Sequence, residues 1–133
     1  MNMKDERQFV GYSKYRSRLV DGHVHTELCP HGSGDRTAMM IEKAIELRIE
    51  KVCLTEHAPL PKAFAVEYGG DQKAYDTASL KLNQVDSYLE LGRQLQRAYG
   101  THIDISLGFE VDYIPGFETD IQEFLDRYGP LTD

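Results

Sequence analysis

Hydrophobic and polar positions along this chain follow two periods in turn. Leu19 to His25 (LVDGHVH) is a short run that ends in polar residues, and a loop rich in Gly and Pro follows it. Asp35 is the expected N-cap of a helix in which Ala38, Ile41, Ala44 and Ile45 recur at helical spacing. Lys51 to Thr55 (KVCLT) reads as a buried strand, with Cys53 as a small buried hydrophobe. It runs into EHAPLP, where Pro59 and Pro61 forbid regular structure. After a loop through Gly69 and Gly70, Leu82, Val85, Leu89 and Leu95 mark a long helix that stops at Gly100. Ile103 to Phe109 (IDISLGF) is the third strand. Ile121, Phe124, Leu125 and Tyr128 form the i, i+3, i+4, i+7 stripe of a last helix, closed by Gly129 and Pro130.

Strands alternating with helices predict an α/β fold whose strands pair in parallel through crossover connections. Three βα units do not close a barrel, and parallel sheets normally lack long open edges. The pattern therefore reads as a piece of something larger, with self-association through open sheet edges expected of the piece alone. Residues 1–18 are polar and charged and are expected to be an extension, with the domain itself over residues 19–133.

The polar residues are placed where the strands end. His23 and His25 fall at the end of the first strand, Glu56 and His57 at the second, Glu110 and Asp112 at the third. In βα architectures ligands gather at the C-terminal edge of the strands, so the three clusters are expected on one rim. Strand side chains alternate with period two, so His23 and His25 point the same way and can reach one metal ion. Imidazole suits zinc, iron or manganese, and a carboxylate such as Glu110 would complete or bridge such ions. Each residue also has a plainer reading: a surface histidine pair, a solvated loop histidine at His31, a turn-shaping His57, a solvated Glu110 or Asp112. His102 precedes the third strand, on the opposite rim, and reads as structural.

Composition narrows the choice. Of 133 residues, 41% are hydrophobic and 28% charged, which suits one globular domain. The net charge of −7, with no basic stripe, counts against nucleic acid as partner. No stretch approaches the roughly 20 apolar residues of a membrane span. Two isolated cysteines, Cys29 and Cys53, do not make a disulfide framework, and the N-terminus lacks the apolar core of a signal peptide. A cytoplasmic location is expected. An acidic chain can still handle a phosphate ester where bound metal ions reverse the local sign.

The segments DGHVHTELCPHGSGD, TEHAPLP and GFEVDYIPGFE resemble, in that order, the histidinol-phosphatase branch of the PHP (polymerase and histidinol phosphatase) superfamily. The resemblance runs from about Val20 to the end of the chain. It implies three βα units of a distorted seven-stranded (βα) barrel, with up to three divalent ions (Zn, Mn or Fe) at its C-terminal rim. It also implies hydrolysis of the small phosphate ester L-histidinol phosphate to L-histidinol and phosphate, a step of histidine biosynthesis. On that pattern His23 and His25 bind one metal, and Glu110 bridges it to a second. His31 and His57 bind a third, Glu56 orients its neighbours, and Glu110 and His57 are the candidate catalytic residues. Family members continue past YGP into strands bearing further ligands, so the 133 residues alone are expected to be a poor phosphatase. The alternatives are a different PHP phosphoesterase or nuclease, and a non-catalytic metal-binding half-barrel.

Overall fold

A computed structural model describes residues 18–67 and 72–133. The expected extension over residues 1–18 lies outside them except for Arg18, as does the loop through Gly69 and Gly70. Three strands, β1 (Val20–Val24), β2 (Lys51–His57) and β3 (Asp104–Glu110), form a parallel sheet in that order. Between them run α1 (Thr37–Glu46), α2 (Lys62–Glu67), α3 (Gln72–Ala78) and α4 (Val85–Tyr99), and α5 (Glu118–Tyr128) follows β3. The α/β class and the parallel sheet thus follow the hydrophobic pattern.

The sheet has two unlike faces. Val52 and Leu54 of β2 and Ile105 and Leu107 of β3 pack with Ile41, Leu80, Val85, Tyr88 and Tyr128 in one buried cluster. Phe109 continues that face, its ring 5.1 Å from Phe124 of α5. The alternate residues, Cys53, Thr55 and His57 with Ser106, Gly108 and Glu110, occupy the other face and are only partly buried. Cys53 is therefore not the fully buried hydrophobe its apolar neighbours suggest, because period two turns it away from the helices.

Close contact between α4 and β3 requires Gly92, where an added Cβ would stand 2.4 Å from a Leu107 methyl. One turn earlier, Tyr88 sends its hydroxyl between the strands. It donates to the Gly108 carbonyl at 2.7 Å and accepts from the Glu56 N–H at 3.3 Å.

Three local expectations change. Asp35 is not the helix cap: Arg36 holds the N-cap position without a side-chain cap bond. The Thr37 N–H instead donates to the Glu27 carboxylate at 2.6 Å, and the Thr37 hydroxyl accepts from the Glu27 N–H at 3.2 Å. A residue ten positions upstream thus satisfies the helix end and closes the base of the Gly-Pro loop. β2 extends to His57 because β3 pairs with it in register as far as His57 opposite Glu110. Leu82, read as a core position, lies in a 3₁₀ turn (Leu82–Gln84) and is 55% exposed.

Beyond α5, Asp133 binds the outer side of β3. Its N–H donates to the Leu107 carbonyl at 2.9 Å, and its carboxylate accepts from the Leu107 N–H at 2.9 Å, Gln96 at 2.6 Å and Arg93 at 2.8 Å. The hydrogen bond from Arg93 holds the Asp133 carboxyl below the usual range against the opposing pull of partial burial. A depressed folded pKa gives a contribution that is full above the ordinary carboxylate value, near pH 4, and is lost as pH falls through the folded value. Asp133→Asn is expected to cost about 1 kcal/mol at pH 7, given the group's partial exposure. Denaturant titrations should show that difference shrinking toward zero below about pH 4.

Candidate metal centre

The C-terminal strand ends bring four imidazoles and two carboxylates together. Period two sends Val24 to the core side and leaves His23 and His25 on the opposite face. The same alternation puts Glu56 on the core side of β2 and His57 beside Glu110. Ring centroids are 5.0 Å apart for His23 and His25, 4.3 Å for His25 and His57, and 4.8 Å for His57 and His31.

The first cluster is a triangle. His23 Nε2 lies 3.0 Å from His25 Nε2 and 3.0 Å from Glu110 Oε2, and His25 Nε2 lies 3.3 Å from the same oxygen. The second cluster pairs His57 Nε2 with His31 Nε2 at 3.1 Å, while His57 Nδ1 stands 3.3 Å from Glu110 Oε2. His31 comes from the Gly-Pro loop, and its Nδ1 donates to the Thr77 carbonyl at the end of α3 at 2.7 Å.

Not every close contact among these atoms has a donor when the rings are neutral. His25 Nδ1 donates to Glu56 at 3.0 Å, so the neutral ring turns a lone pair at Nε2 toward Glu110 Oε2, itself an acceptor. His31 Nδ1 is likewise spent on Thr77, which leaves its Nε2 a lone pair. If His57 carries its proton on Nε2, its Nδ1 lone pair meets Glu110. If it carries the proton on Nδ1, its Nε2 lone pair meets His31. Neutral tautomers close the hydrogen bonds but leave at least one imidazole lone pair against another acceptor, which a proton on the ring or a metal ion relieves. Ligand atoms about 2.1 Å from one ion stand about 3.0 to 3.4 Å apart, which is the spacing seen here. The residues present therefore fit divalent metal.

Electrostatics separate the candidate ligands from their support. Burial pushes the Glu56 carboxyl up, but hydrogen bonds from Thr26, His25 and the His57 N–H outweigh it and hold the group below the usual carboxylate range. Burial and the neighbouring His25 push His57 down, and Glu110 only partly offsets them. His25, Cys29, Glu56 and His57 also lie close enough to hold an ion together. Donors already occupy both Glu56 oxygens, and burial raises the Cys29 thiol, so that second grouping is the poorer ligand set.

His23, His25, His31, His57 and Glu110 thus meet at one rim. Asp112 is exposed, and His102 lies at the far end of β3 against the Thr101 hydroxyl. Sequence reasoning passed over Thr26, although its place beside His25 was a signal. The Thr77 carbonyl carried none, because a backbone acceptor is the same in every residue.

The sequence profile of the PHP domain matches residues 21–130. This chain belongs to the PHP family. Its PHP segment is 38% identical over 113 residues to the histidinol-phosphatase of Bacillus subtilis, covering 85% of this chain and 40% of that protein. A Deinococcus radiodurans protein named as a probable histidinol-phosphatase is 26% identical over 110 residues, covering 83% of this chain and 38% of its own length. A crystal structure from Listeria monocytogenes, described as that of a candidate histidinol phosphatase, superposes with a TM-score of 0.82 at 41% identity. It covers 86% of this chain and 42% of that one. This PHP chain spans about two fifths of the length of the relatives it matches. No helix among the described residues is long and apolar enough to cross a membrane.

Proposed function

We propose that residues 19–133 form three βα units of a PHP-type barrel, and that this rim belongs to a divalent-metal phosphomonoesterase acting on L-histidinol phosphate. The observation that carries the reading is the triangle of His23 Nε2, His25 Nε2 and Glu110 Oε2, with edges of 3.0 to 3.3 Å. The substrate is taken from the relatives' names, and the acidic surface, with its net charge of −7, disfavours a nucleic-acid substrate.

In this reading His23, His25 and Glu110 hold one ion and His31 and His57 another, with Glu110 reaching toward both clusters. Imidazole and carboxylate donors fit zinc, manganese or iron. Bound divalent ions would supply Lewis-acid chemistry, neutralising phosphate charge and making water a better nucleophile at neutral pH. The chain's own contribution is positional. Parallel register sets His57 beside Glu110, and the Thr77 carbonyl holds His31 Nδ1 so that the ring presents Nε2. Glu110 and His57, which face each other between the two clusters, are the residues assigned closest to the reacting phosphate.

The test is phosphate release by the purified protein, stripped of metal and then reloaded with manganese or zinc. Turnover of L-histidinol phosphate, however slow in these 133 residues alone, is expected to exceed that of nucleotides or a generic aryl phosphate, and to appear only after reloading. Equal rates on all three esters would sink the substrate assignment. A rate indifferent to metal removal would sink the mechanism.

A further inference from the structure

The charged side chain buried completely among the described residues is not one of the proposed ligands. Glu56 is 0% exposed. A buried carboxylate is costly unless hydrogen bonds compensate it, so what those bonds do is informative. One oxygen, Oε2, accepts from the Thr26 N–H at 2.8 Å and from the Thr26 hydroxyl at 2.6 Å. Those two bonds turn the other oxygen, Oε1, toward His25 Nδ1 at 3.0 Å, where it also accepts from the His57 N–H at 3.1 Å.

We propose that Glu56, clamped by Thr26, is a positioning residue that holds His25 as its Nδ1–H tautomer and so keeps Nε2 free to bind metal. The proposal rests on the reading of His25 as a ligand and adds what makes it one. Without an acceptor at Nδ1, the His25 proton would move to Nε2. There it would donate to Glu110 Oε2 or His23 Nε2, relieving the lone-pair crowding of the metal-free site. That arrangement satisfies the hydrogen bonds and blocks the ligand. Glu56 opposes it, and Thr26, itself buried, keeps Glu56 from turning away.

Glu56→Gln tests the idea with little change of shape. A glutamine has one acceptor oxygen, for which the Thr26 N–H and hydroxyl compete with the His57 N–H. Wherever that oxygen stays with Thr26, the amide NH₂ faces His25 Nδ1, which must accept, and the proton shifts toward Nε2. Thr26→Val keeps the backbone donor and removes the hydroxyl, a milder form of the same change. Two readouts apply to each variant: the His25 tautomer in metal-free protein, from long-range ¹H–¹⁵N correlations assigned with His25→Gln, and Mn²⁺ affinity by titration.

The wild type should show Nδ1–H at His25. Glu56→Gln should shift it toward Nε2–H and weaken Mn²⁺ binding by about 10- to 100-fold, and Thr26→Val should do both to a smaller degree. If Glu56→Gln fails to fold, Thr26→Val carries the test on the same two readouts. A folded variant that keeps Nδ1–H and binds Mn²⁺ within about twofold of wild type would overturn the proposal. His25→Ala separates the two levels: if it leaves Mn²⁺ binding intact, the metal reading itself is wrong, whatever the tautomer.

Discussion

Glu110→Ala is expected to weaken divalent-metal binding by well over the roughly 10- to 100-fold typical of losing a supporting partner. The reason is that one oxygen serves two clusters. Glu110 Oε2 lies 3.0 Å from His23 Nε2, 3.3 Å from His25 Nε2 and 3.3 Å from His57 Nδ1. Removing it takes an anionic ligand from the first cluster and the acceptor that orients His57 in the second. Two neutral imidazoles remain on the β1 side, fewer than the four or so donors a zinc site normally uses. Metal-free stability should hardly change, within about 0.5 kcal/mol, because the side chain is partly exposed and its removal relieves crowding between acceptors. Metal titration and thermal melting of metal-free protein, on one sample, check both halves. An equal loss of stability and metal affinity would mean that Glu110 holds the fold instead.

Leu54→Ala should act in the opposite way, costing about 2 to 5 kcal/mol of stability with no chemistry of its own. Leu54 is 0% exposed in the middle strand, and β1 and β3 flank its backbone on either side. Its side chain belongs to the buried cluster between the sheet and the helices, so truncation leaves a cavity in that core. Denaturant unfolding should show the loss as a lower midpoint. Metal affinity of the fraction still folded should stay near wild type, since Leu54 points away from the rim. A midpoint shift worth less than about 1 kcal/mol would show that the core relaxes into the space.

Some of this was settled by residue order alone. Period two in HVH puts two histidines on one face, and the same period in TEH forces Glu56 and His57 onto opposite faces. Helical stripes place α1, α4 and α5, and the strand–helix alternation implies a parallel sheet. These signals are legible because they report geometry within one element, where spacing along the chain is spacing in space. The rest depended on which elements meet. His23 and Glu110 are 87 positions apart, and only the parallel order β1-β2-β3 sets their side chains 3.0 Å from each other. The cap of α1 comes from Glu27 rather than Asp35, because the loop folds back and the better-placed carboxylate wins the donor. β2 runs on to His57 despite Pro59 nearby, because ladder bonds to β3 outweigh local punctuation. The tautomers of His25 and His31 depend on Glu56 and on a Thr77 carbonyl. Residue types name the groups able to bind a metal. Only tertiary packing supplies the acceptor behind each ring that decides which nitrogen is free to do it.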